Sequence, residues 1–193
     1  MTNIAVFASG KGTNAEAIIE YFRKSREISI ELIVSNNPES GVIAVAKKYG
    51  IPVQLVTKGS FYHSSELLES IRERKIGFIV LAGFLWLLPD YLLEAFPNKI
   101  VNVHPALLPR HGGKGMYGRK VHEAVLNAKE KETGITVHYV NENYDEGEVI
   151  FQASCRVEQN DTPGSLEAKV RKLELEHYPK VIEKLLLKET VTT

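Results

Sequence analysis

The sequence is short of the residues that mark several protein classes, and each shortage closes a route. Cys155 is the only cysteine, so no internal disulfide can form and a cysteine-rich zinc site is excluded. Six histidines are scattered, and His122-Glu123 lacks the second histidine of an HExxH helix, so no metal is expected. No apolar run approaches the ~18 residues of a membrane span. The opening MTNIAVFASGKG reaches its glycines too soon for the apolar segment of a signal peptide, and a cytoplasmic, reducing setting is the expectation. An excess of charge of one sign is missing too. Lys+Arg and Asp+Glu both count 24, which gives the whole chain no bias toward nucleic acid or a membrane surface. There is no repeat, low-complexity segment or linker.

What remains is an ordinary globular composition, 44% apolar and 25% charged. The 193 residues fit one domain against a prior of ~150 residues per domain. A chain of that length buries roughly 70% of the surface its unfolded form exposes, enough to fold unaided.

Short apolar runs alternate with amphipathic stretches through the first half. Asn3–Ala8, Ile28–Val34, Pro52–Val56, Gly77–Ala82 and Lys99–Val103 read as strands. Thr13–Phe22, Gly41–Tyr49 and Ser64–Lys75 read as helices between them. Continuous apolar strands separated by helices predict a parallel sheet covered on both faces. Later, Val121–Lys131 reads as a helix, and Gly134–Val140 and Glu148–Val157 flank a polar turn as an antiparallel pair. Thr162–Leu187 closes the chain as a long helix with a break expected at Pro179. The predicted fold is a single α/β domain: an open, mainly parallel, Rossmann-like twisted sheet, helices on both faces, and an antiparallel C-terminal part. Such sheets bind ligands beyond the carboxyl ends of their strands.

The loops at those ends carry unusual residues. Ser9-Gly10-Lys11-Gly12-Thr13-Asn14 joins a strand to a helix. It suits a phosphate, since glycines expose backbone N–H groups at a helix N-terminus. A tight turn with Thr13 or Asn14 as N-cap fits it as well. It is neither a dinucleotide fingerprint, with Ala15 in the third glycine's place, nor a Walker A loop. Gly83-Phe84-Leu85-Trp86-Leu87-Leu88-Pro89 can wall a flat aromatic ligand or be plain core ahead of a helix starting at Pro89. In VNVHPALLPRHGG, strand alternation puts Asn102 and His104 on one face. A carboxamide beside an imidazole suits an oxyanion with a proton donor next to it. A capping Asn and a core His are the bland alternative. From His104 through Lys120 there is no acid, but there are Arg110, Lys114, Arg119 and Lys120, a local positive charge that favours an anionic substrate. Asp145, in the turn after His138, either holds a neighbouring histidine protonated or is a solvated turn residue.

Taken together, SGKGTN, SNNP, LAGFLWLLP, NVHPALLP, VHYVNENYDEGEVI and the closing helix resemble the folate-dependent phosphoribosylglycinamide formyltransferases almost end to end. Asn-x-His-Pro-x-Leu-Leu-Pro marks the wider group that hydrolyses or transfers formyl from 10-formyltetrahydrofolate, and SGKGTN narrows the likeness to the ribonucleotide branch. The resemblance implies one domain over residues 1–193. About 1–100 would form the half that binds the ribonucleotide phosphate, and about 101–193 the catalytic and folate-binding half. It implies His104 as general acid, Asn102 as oxyanion and folate contact, Asp145 as the group that orients and charges His104, and His138 as support. Gly12, Thr13 and Asn14 match the phosphate loop. Leu85, Trp86, Leu87 and Leu88 match the segment that receives the pteridine. Glu174 falls in the ribose-binding place, with Glu176 as a competing alignment. The co-substrate implied is 10-formyltetrahydrofolate, with no metal and no ATP. The partners implied are small molecules, not nucleic acid or membrane, and the assembly a monomer or homodimer. The likeness departs at Trp86, where arginine is common, and in the loop Arg110–Lys120, which is longer than usual. A methionyl-tRNA formyltransferase would carry a further C-terminal domain and a formyltetrahydrofolate hydrolase an N-terminal one. The remaining alternatives are a sugar-nucleotide N-formyltransferase and a non-catalytic folate- or phosphate-binding module.

Overall fold

The computed structural model describes residues 1–189. Five strands and five helices alternate first: β1 (Thr2–Phe7), α1 (Thr13–Phe22), β2 (Ile28–Ser35), α2 (Gly41–Tyr49), β3 (Val53–Leu55), α3 (Lys58–His63), α4 (Glu66–Glu73), β4 (Ile76–Leu81), α5 (Asp90–Ala95) and β5 (Ile100–His104). Then come α6 (Arg119–Asn127), β6 (Glu132–Tyr139), β7 (Val149–Arg156) and α7 (Pro163–Glu189). They form one seven-stranded sheet in the order β3-β2-β1-β4-β5-β6-β7. The first five strands are parallel, while β6 runs antiparallel to β5 and β7 to β6. That is the predicted class, including its antiparallel end.

Burial explains the apolar runs. Ile4 and Val6 turn to a core shared with α1, α2 and α7, whereas Ala5 and Phe7 turn to one shared with α4 and α5. Strands buried on both faces have no polar positions to spare. The edge strand β7 is different, with alternate residues exposed, as expected where only one face meets the core.

Some boundaries moved. Helix α3 was not visible in the pattern: it is one short piece with a single buried residue, Phe61, opened by a reciprocal Thr57–Ser60 capping box. Helix α6 starts and ends earlier than the predicted Val121–Lys131. Helix α7 does not break at Pro179 but runs through it.

The strand order reverses between β1 and β4, so their carboxyl ends diverge into a crevice. Two bonds tie the loops that leave it: Ser9 N–H donates to Gly83 O at 3.1 Å, and Leu85 N–H donates to Ser9 Oγ at 3.1 Å. Beneath it, the fully buried Tyr178 of α7 reaches two adjacent strands, β4 and β5. Its hydroxyl donates to Leu81 O at 2.9 Å and lies 3.2 Å from Val101 O. Tyr178→Phe removes that donor and leaves buried carbonyls short of a partner. We expect unfolding stability to fall by about 1–3 kcal/mol, read as a lower urea midpoint at unchanged slope.

Candidate active site

A cavity of about 490 Å3 opens at the carboxyl ends of the central strands. Its floor is the end of β5. Asn102 sits directly opposite His138 of β6 in the antiparallel register, the pairing that brings side chains closest across a sheet. Asn102 Nδ2 lies 3.1 Å from His138 Nε2. His138 Nδ1–H donates to Tyr139 O at 2.8 Å, so in the neutral ring Nε2 is the acceptor for the Asn102 amide. Nε2 also stands 3.6 Å from Asp145 Oδ1. One nitrogen cannot accept from Asn102 and donate to Asp145 together, and the shorter contact decides for Asn102. The carboxamide is thereby turned amino side inward, with its second N–H unspent on His138.

His104, two residues on and 3% exposed, has an acceptor at each ring nitrogen. Nδ1 is 3.3 Å from Asp145 Oδ2, and Nε2–H donates to His111 O at 2.8 Å. Asp145 stands in a left-handed backbone conformation, φ 58°, which aims its carboxylate back at β5 from the β6–β7 turn. Gly113 N–H donates to its Oδ2 at 3.0 Å. Burial alone would push the Asp145 carboxyl up. The bond from His104, the charge of His104 and the Gly113 N–H prevail and hold it well below the usual carboxylate range.

The other predicted residues fall around this centre. Leu85, Trp86, Leu87 and Leu88 line the cavity, and the Trp86 ring stacks on Tyr62 at 6.2 Å. Asn14 and Glu174 line it too, joined by a 2.9 Å bond from Asn14 Nδ2 to Glu174 Oε2. Burial pushes the Glu174 carboxyl up, and the bond from Asn14 offsets only part of that rise. Glu176 is exposed and faces Lys180 instead. Gly12 and Thr13 are not part of the cavity lining; they precede Asn14 at the start of α1. Gly12, not Thr13 or Asn14, is the N-cap there, and no side chain caps the helix. Its φ of +83° and a Cβ position only 2.7 Å from Val42 Cα leave room for glycine alone.

Sequence reasoning passed over several lining residues. Glu167 and Arg171 line the cavity beside Glu174 and are bonded to each other. Their spacing, i, i+4 and i+7 with Glu174, is the signal that would have found them. His122 of α6 also lines it, with its Nδ1 buried and unpartnered among the described residues. Burial lowers its pKa. Nothing in its neighbours along the chain announces that position.

Comparison with known proteins places the chain among its relatives. A family profile described as formyl transferase matches residues 2–182. The phosphoribosylglycinamide formyltransferase of Bacillus subtilis is 36% identical over 191 residues, covering 96% of this chain and 95% of that protein. A chloroplastic phosphoribosylglycinamide formyltransferase of Arabidopsis thaliana is 42% identical over 185 residues, covering 93% of this chain but 63% of the relative, so the chain spans under two thirds of its length. The crystal structure of glycinamide ribonucleotide transformylase 1 from Geobacillus kaustophilus superposes with a TM-score of 0.87 at 36% identity, over 96% of this chain and 99% of that one. By its profile, its sheet and its relatives, the chain belongs to the formyl transferase family.

Proposed function

We propose that the protein transfers a formyl group from 10-formyltetrahydrofolate to the amine of N1-(5-phospho-D-ribosyl)glycinamide, a step of de novo purine biosynthesis. The observation that carries this reading is the convergence of Asn102, His104, His138 and Asp145 on one cavity whose other wall holds the Asn14–Glu174 pair.

The chemistry follows from the partners each group has. The substrate amine attacks the formyl carbon, and the carbonyl oxygen gains charge. Asn102 Nδ2 carries one N–H spent on His138 and a second for that oxyanion. As the tetrahedral intermediate collapses, the bond from the formyl carbon to the folate nitrogen breaks. That nitrogen takes the Nε2 proton of His104, which leaves its bond to His111 O, and the proton the attacking amine loses returns to His104, so the ring ends as it began. Asp145 holds the imidazole in place and stabilises its charged form. Leu85 through Leu88 give the pteridine an apolar wall, and Lys114 stands on the lining as a cation for an anionic acceptor. The uncapped N-terminus of α1 at Gly12, Thr13 and Asn14 receives the phosphate, with Glu174 at the ribose. We place the reaction in the cytoplasm; no helix among the described residues is long and apolar enough to cross a membrane.

The direct test is formyl transfer from 10-formyltetrahydrofolate to the ribonucleotide and, in parallel, to a sugar-nucleotide amine, with neither ATP nor divalent metal added. Turnover of the sugar amine and none of the ribonucleotide overturns the proposal. Replacing Thr13 and Asn14 together by alanine should raise the ribonucleotide KM about 10–100-fold, the range for losing hydrogen bonds to a charged group. A defect confined to the folate KM would put the phosphate elsewhere.

A further inference from the structure

The loop from β5 to α6 contributes more to the centre than its length and glycines announce. The backbone carbonyl that accepts from His104 Nε2 belongs to His111, a residue in left-handed conformation with φ 56°. The imidazole of that same residue meets Glu130 Oε1 at 3.0 Å. Its neighbour Arg110 donates to Glu130 Oε2 at 2.6 Å. Glu130 stands just past the end of α6, its own N–H bonded to Val125 O. One carboxylate thus grips two consecutive loop residues, one through each oxygen. On the far side Gly113 N–H is held by Asp145. Between them Gly112 passes so close to Leu108 that an added Cβ would lie 2.4 Å from its methyl carbon. The segment 110–113 is pinned at both ends, with the catalytic imidazole bonded to its middle.

We propose that Glu130 is a positioning residue for the formyl transfer, acting through His111 to fix the carbonyl that orients His104. The inference rests on the function proposed above. An exposed ion pair would matter little, but the Glu130 side chain is only 19% exposed, and what it controls is geometry. A misplacement of about 1 Å at a catalytic group can cost ~10²-fold.

Glu130→Ala should therefore lower kcat by about 10²-fold while leaving the ribonucleotide KM unchanged. His111→Asn, chosen because asparagine tolerates left-handed backbone, should lower kcat through the same bond. The double variant should be no worse than the poorer single one, since both remove one interaction. Losses that multiply would overturn the proposal, because they would mean Glu130 acts by another route. An NMR readout free of substrate accompanies this: the His104 Nε2–H resonance, protected by its bond to His111, should be present in the wild type and lost in Glu130→Ala. Glu130→Gln keeps the side chain's shape and one acceptor, and should lie between wild type and alanine in both readouts. If the wild type transfers no formyl, the functional reading fails and the NMR comparison still judges the clamp. If the wild type is active and Glu130→Ala keeps both its kcat and its His104 signal, the clamp is refuted.

Discussion

Asp145→Asn should lower kcat by about 10³-fold, within the range that positioned proton transfer supplies, with the ribonucleotide KM little changed. The substitution is close to a pure test of charge. Asp145 stands at φ 58°, a conformation that asparagine tolerates better than most residues. Its Oδ2 serves both His104 Nδ1 and Gly113 N–H, while Oδ1 faces His138 Nε2. An asparagine can present its carbonyl oxygen to the first pair, so those contacts survive; the negative charge beside His104 does not. Without it the buried His104 ring has no counter-charge at Nδ1, and its transfer of a proton to the folate nitrogen slows. Steady-state kinetics with the ribonucleotide varied at saturating 10-formyltetrahydrofolate separates the two constants. Full turnover in the variant would refute the role given to Asp145. A rise in KM alone would make it a binding residue.

Much of this was legible in the sequence, for identifiable reasons. Strands β1, β2 and β4 are apolar on both faces because both faces are covered, and that gives parallel sheets a recognisable pattern. The two-residue alternation that set Asn102 beside His104 needs nothing beyond strand geometry. Longer-range facts did not show. That His138 lies opposite Asn102 depends on the β5–β6 register, which a separation of 36 positions does not encode locally. The choice between Glu174 and Glu176 depends on the rotation of α7, which turns Glu174 to Asn14 and Glu176 to solvent. Pro179 reads as a helix breaker, yet it is buried within α7 between Tyr178 and Val181, where packing outweighs local preference. The Glu130 grip joins residues 19 and 20 apart across a glycine-rich loop, and no periodicity links them.

The second large effect is expected at Asn102. Asn102→Ala should reduce kcat by about 10²–10³-fold, the usual result of removing one oxyanion donor. The deficit should appear equally in kcat and kcat/KM, because the bond is made to a charge that exists only near the transition state. Alanine leaves a second mark that a purely structural asparagine would not. His138 Nε2 loses its 3.1 Å donor and becomes free to take a proton toward Asp145 Oδ1, 3.6 Å away. Asp145 would then divide its charge between two imidazoles instead of committing it to His104. Replacing Asn102 by aspartate is worse for the same reasons: it removes the donor and sets a like charge beside the developing oxyanion. Alanine should therefore retain more activity than aspartate, although aspartate is the closer match in shape. The reverse order, with aspartate the more active, would mean that Asn102 serves the fold of β5 and that the oxyanion is stabilised elsewhere.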